Sequence, residues 1–136
     1  MTWYLVIRSD ARYGESVPAS ALTAYLDSLP ELRRTDLSGY TAATGPLGSV
    51  ELVIASCAPS GGYAAYPDRL PAEINLVELI CSSSRSSFAA ERSLAERIAE
   101  RLGWEVVDDD TGEVLRARDL GSGRPETSTT IGQCPA

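Results

Sequence analysis

The run from Phe88 to Leu102 limits the fold more than any other stretch of this chain. Leu94, Ala95, Ile98 and Leu102 recur on one side of a 3.6-residue period, while the pairs Arg92/Glu96 and Arg97/Glu100 fall on the wet side. Such a helix is marginal alone and needs an apolar surface to cover its stripe. Gly103 follows as a left-handed C-terminal cap, with Trp104 folding back on the last turn.

The surface that covers it must come from strands, because most of the remaining chain alternates at period two. Trp3, Leu5 and Ile7 stand opposite Tyr4, Val6 and Arg8, and Val50, Leu52 and Ile54 stand opposite Glu51, Val53 and Ala55. Ile74 to Cys81 is nearly continuous apolar, as in a central strand. Leu37 to Thr44 reads as a strand joined to Val50–Cys57 by the turn Gly45-Pro46-Leu47-Gly48. A first helix is expected from near Ser16, with the stripe Leu22, Tyr25, Leu26 and Leu29, ending at Pro30. Trp104–Val107 and Glu113–Leu115 form a hairpin around Asp108-Asp109-Asp110-Thr111-Gly112. The predicted order is β-α-β-β-β-α-β-β: an α+β fold, largely antiparallel, with both helices on one face, a ferredoxin-like variant with an added edge hairpin. One domain is expected over 1–118, followed by a Gly/Ser/Thr/Pro-rich tail over 119–136, whose composition supports no core of its own.

Charge and side-chain chemistry narrow the function. Nineteen acidic residues against twelve basic ones give a net charge of −7, which disfavours nucleic acid and anionic membranes and favours a basic protein as partner. All 12 basic residues are arginine. Without His or Lys there is no Ser-His or Cys-His pair, no Schiff base and no P-loop lysine, so an enzyme is the less favoured class and no cofactor is expected. Two of the 19 carboxylates meeting in a cleft would still make an acid–base pair, but no spacing nominates which. Cys57, Cys81 and Cys134 are odd in number and lack CxxC spacing. Cys57 and Cys81 read as small buried hydrophobes in a reducing compartment. The N-terminal apolar run is too short for a signal peptide or membrane span, which makes the cytoplasm the expected location.

Three segments are candidate sites. Cys81-Ser82-Ser83-Ser84-Arg85-Ser86-Ser87 runs from a strand end into a helix start, where Ser83, Ser84 and Arg85 suit a weak anion site. Its Cys-to-Arg spacing is too short for a cysteine-dependent phosphatase loop, and serines there also read as helix caps. Tyr63 and Tyr66, among glycines and prolines, combine rigid aromatics with a pliant backbone as binding loops do, or else tuck over a sheet edge. Asp108-Asp109-Asp110-Thr111-Gly112-Glu113 has Gly112 one place early for a calcium loop and Asp119 where such a loop needs Glu, so no metal is expected. Asp108, Asp109, Asp110 and Glu113 instead form an acidic turn suited to a cationic partner.

The stretch E-R-S-L-A-E-R-I-A-E-R-L-G-W-E-V-V-D-D-D-T-G-E-V-L, Glu91 to Leu115, resembles the C-terminal part of small bacterial immunity-type proteins from toxin–immunity systems. That resemblance implies a compact acidic inhibitor that occludes a cognate toxin without catalysis. Two other classes remain open. One is a small anion-binding protein or enzyme using the sheet near Cys57, Cys81 and Arg85. The other is a subunit that self-associates, as a homodimer for instance, through a sheet edge.

Overall fold

The computed structural model describes residues 2–42, 50–58, 68–82 and 88–119. In chain order the elements are β1 (Trp3–Arg8), β2 (Val17–Pro18), α1 (Ala19–Asp27), β3 (Leu32–Asp36), β4 (Gly39–Ala42), β5 (Val50–Ala55), β6 (Glu73–Ile74), β7 (Leu76–Cys81), α2 (Phe88–Leu102), β8 (Glu105–Asp108) and β9 (Val114–Arg116). A seven-stranded sheet runs β3-β4-β5-β7-β1-β8-β9, and β2 pairs with β6 in a small separate ribbon. Every pairing is antiparallel.

The predicted α+β class holds. The four strands β8-β1-β7-β5, with α1 following β1 and α2 joining β7 to β8, reproduce the ferredoxin-like arrangement: β1 lies between the two strands that α2 connects. The hairpin β8–β9 extends one edge, as expected. At the other edge, β3 was not expected and pairs with β4. Its Arg33, Arg34 and Thr35 are exposed, so an edge strand of this kind shows no alternation to read.

Both helices cover one face. Trp3, Leu5, Ile7, Leu52, Ile54, Val77, Leu79 and Val106 belong to one core with Leu22 and Leu26 of α1 and Leu94, Ala95, Ile98 and Ala99 of α2. Trp3 and Trp104 are the largest fully buried side chains.

Helix α1 starts later than expected. Ser16 to Pro18 is drawn into the ribbon instead: Ser16 Oγ donates to Glu73 Oε1 at 2.9 Å, and Ala19 N–H donates to Ala72 C=O at 2.9 Å. The helix also ends before Pro30, at Asp27, with Ser28 as C-cap. Tyr40, on β4, is 1% exposed and donates to Asp27 Oδ1 at 2.9 Å, tying that helix end to the sheet. Burial, with Asp27 beside it, raises the Tyr40 phenol above its usual value.

The end of α2 follows the sequence closely. Gly103 has φ 75°, Trp104 N–H donates to Ala99 C=O at 2.9 Å and Gly103 N–H to Glu100 C=O at 3.3 Å, the two bonds of a Schellman cap. On the wet side Arg92 pairs with Glu96 at 2.8 Å, whereas Arg97 leaves its expected partner Glu100 and reaches Glu31 near the end of α1. The expected 118/119 boundary is crossed by backbone bonding, since Asp119 N–H donates to Gly103 C=O at 3.0 Å. Residues 120–136 lie outside the described residues.

A methyl group at position 103 would meet no backbone, so its cost is the left-handed backbone alone. Gly103→Ala should therefore lower stability by about 1 kcal/mol, read as a lower urea midpoint with an unchanged m-value.

Candidate binding surface

The acidic turn is rigid because one of its three aspartates is spent on building it. Asp108 is 3% exposed. Its Oδ1 accepts from Asp110 N–H at 3.0 Å, its N–H donates to Glu113 C=O at 2.9 Å, and its C=O accepts from Gly112 N–H at 2.7 Å. Gly112 takes φ 78°, the left-handed conformation that closes the loop. Asp109, Asp110 and Glu113 are exposed. The expectation of three exposed aspartates is thus corrected: Asp108 faces inward because its strand position puts it opposite Leu5 on the core side. Val114, beside Glu113, is 51% exposed, one of two large hydrophobic residues so placed among the described residues.

The turn borders the second face of the sheet, on which no helix packs among the described residues. Register aligns this face in rows. One row is Glu51–Ile80–Tyr4, from the pairs Glu51↔Ile80 and Tyr4↔Ile80, and it continues to Asp109, whose N–H donates to Tyr4 C=O at 3.1 Å. The next row is Val53–Glu78–Val6–Val107–Val114. Tyr4, Ile80 and Val53 are half-buried and Glu51 is exposed. Beyond Glu51 a hollow of about 350 Å³ is lined by Asp36, Gly39, Thr41, Glu51 and Val53 among others. A Cβ at Gly39 would lie 2.7 Å from Asp36 Oδ1, so a larger residue there would push the Asp36 carboxylate aside.

The far end of the same face is closed and neutralised. Arg8 donates to Glu105 at 2.7 Å and lies 5.6 Å from the centre of the Tyr13 ring, and Tyr13 packs on Val6, Ala55, Cys57 and Leu76. Burial alone would lower the Arg8 guanidinium, but its bonds to Glu105 and Tyr13 hold it above its usual value. The Asn75 side chain grips the Cys57 backbone on both sides: Oδ1 accepts from Cys57 N–H at 2.6 Å and Nδ2 donates to Cys57 C=O at 2.9 Å. Burial pushes the Cys57 thiol up, away from thiolate chemistry.

The two cysteines do not converge. Cys57 belongs to the small cluster on the second face and Cys81 to the helix-covered core. A site built from both is therefore corrected by strand alternation, which turns their side chains to opposite sides of the sheet. Ser83, Ser84 and Arg85 lie outside the described residues, as do Tyr63 and Tyr66. The residues flanking the tyrosine segment leave β5 at the end where Ala55 pairs with Leu76, opposite to the end that carries the acidic turn.

Glu91 is a residue that sequence reasoning passed over. It is fully buried in the first turn of α2, where a carboxylate is favoured by the helix dipole. Its spacing of three and four residues from Leu94 and Ala95 puts it on the apolar stripe, and that was the available signal. Among the described residues no group of three or more Cys, Asp or Glu is arranged to hold a metal ion, and no helix is long and apolar enough to cross a membrane. Comparison with protein families, with curated proteins and with solved structures finds no match to this chain.

Asp108→Ala should cost about 1 kcal/mol of stability by leaving the Asp110 N–H without its acceptor, while Asp109→Ala should leave the melting temperature unchanged within error. Glu31 gives a pH test. Burial alone would raise its carboxyl, but a backbone hydrogen bond and Arg97 hold it below the usual value. A depressed folded-state value adds stability above the unfolded pKa, and this is lost as pH falls through the folded one. The urea-midpoint gap between wild type and Glu31→Gln should therefore be present at neutral pH and close on acidification below the normal carboxylate range.

Proposed function

We propose that this protein is a non-catalytic acidic binder that docks a basic protein partner through the β8–β9 turn, in the manner of an immunity protein that occludes its cognate toxin. The observation that carries the reading is the turn itself: Asp109, Asp110 and Glu113 exposed on a backbone locked by Asp108, beside the exposed Val114. A fixed cluster of carboxylates next to an apolar residue suits an interface, because charge steers encounter and the apolar contact slows escape. The rest of the charge pattern supports the same reading. Arg8, Arg34, Arg92, Arg97 and Arg118 are each engaged by carboxylates of the chain itself, whereas Asp109 and Glu113 form no ion pair among the described residues. The likeness of Glu91–Leu115 to immunity-type proteins points the same way, and such a protein would work in the cytoplasm.

Pull-downs from the source organism with wild type and with Asp109, Asp110 and Glu113 all reversed to Arg test this. A basic protein should be retained by wild type, released by salt and lost from the reversed bait, with an association rate that falls as ionic strength rises. Equal retention of that protein by both baits would reduce the turn to a solubility feature.

A further inference from the structure

The acidic turn and the second face of the sheet, on which no helix packs among the described residues, share Asp109, and the row that begins there has a definite chemical order. Asp109 is followed across the strands by Tyr4, then Ile80, then Glu51. Asp109 and Glu51 are exposed carboxylates, and between them stand a half-buried aromatic and a half-buried aliphatic side chain; beyond Glu51 the row runs through Thr41 to the exposed Arg33, which limits the acidic stretch on that side. In the neighbouring row Val53 and the exposed Val114 add apolar surface, with the half-buried Glu78 between Val53 and Val6. From β8 to β5 there are three strand steps of about 4.8 Å, so the two carboxylates stand roughly 14 Å apart.

Each end fits a cation in its own way. At the Asp109 end the charge sits on an open turn. At the Glu51 end it lies on the rim of the hollow of about 350 Å³, whose lining also holds Asp36. Such a hollow accommodates the long stem of an arginine or lysine side chain, with the charged head between carboxylates.

Granted the acidic-binder reading, on which this rests, we infer that the docking surface is the whole row from Asp109 to Glu51, and that its occupant is a basic amphipathic segment of the partner protein. Two cationic side chains of that segment span the carboxylates, and apolar residues between them lie on Tyr4 and Ile80. In a helix rising 1.5 Å per residue with 3.6 residues per turn, side chains eleven residues apart return to one face about 16.5 Å apart, close enough to carboxylates roughly 14 Å apart for flexible arginine stems to reach both, with apolar residues on the same face between them. Arginine at the Glu51 end enters the hollow. The second face and the acidic turn are then one interface, in which charged and apolar contacts act together.

The probe is a synthetic helical peptide amide with two arginines eleven residues apart, which places them on one face, and leucines between them on that face. At low salt it should bind and shift the backbone amide signals of Tyr4, Glu51, Ile80 and Asp109. Glu51→Arg and Asp109→Arg should each weaken it by about tenfold. Replacing the peptide leucines by serine should weaken it comparably with the protein unaltered, which separates loss of contact from misfolding of Tyr4→Ser or Ile80→Ser. Absence of shifts along the row overturns the inference, as does equal binding by the serine peptide or by Glu51→Arg. Self-association with the same shifts before peptide is added also overturns it, in favour of a second copy. With the natural partner the two readings separate. Loss of capture on reversing the turn, with Glu51→Arg and Ile80→Ser still capturing, keeps the turn and rejects the face; capture indifferent to all of these rejects both.

Discussion

The structure depends on one strand being sealed on one side. β1 lies between β7 and β8, and its Trp3, Leu5 and Ile7 are fully buried beneath α2 and α1. Helix α2 joins the two strands that flank β1, so the crossover and the packing are a single event. The Schellman bonds at Gly103 and the tie from Tyr40 to Asp27 then hold the helix ends in register with the sheet.

Sealing one face leaves the other to carry a different composition. On the helix side every described position of β1, β5 and β7 is apolar, because a carboxylate there would lose its hydration without a partner. On the second face the same strands carry Glu51, Glu78 and the Arg8–Glu105 pair among Tyr4, Val53 and Ile80. This mixture is neither a core nor an ordinary wet surface. One end is closed by Tyr13 over Arg8, with Asn75 pinning the strand exit, and the other end opens onto the acidic turn.

The arginine-only cation set shapes the electrostatics. A guanidinium stays charged and binds carboxylates through a planar fork, so each arginine can hold an acid in a fixed place. Arg118, for example, bonds both Asp10 and Glu15 and so ties the chain at residue 118 back to the loop after β1. Pairs of this sort consume positive charge within the chain. The net −7 is then expressed where no arginine reaches, as at Asp109 and Glu113.

The amino-acid sequence by itself determined the α+β class, the extent of α2, the cap at Gly103 and the β8–β9 hairpin, because each rests on local periodicity or on a residue whose backbone preference is intrinsic. It did not reveal β3, whose exposed edge position carries no alternation, nor the ribbon that delays α1, since two-residue pairings leave no pattern. Only the tertiary structure decided which carboxylates are available. Asp108 and Asp109 are neighbours of the same type, yet one is buried and the other exposed, and Cys57 and Cys81 both read as strand thiols but lie on opposite sides of the sheet. The physical reason is that side-chain direction in a strand is set by parity and register with its partners. Register comes from which strands meet, and that is a long-range choice made by the whole core.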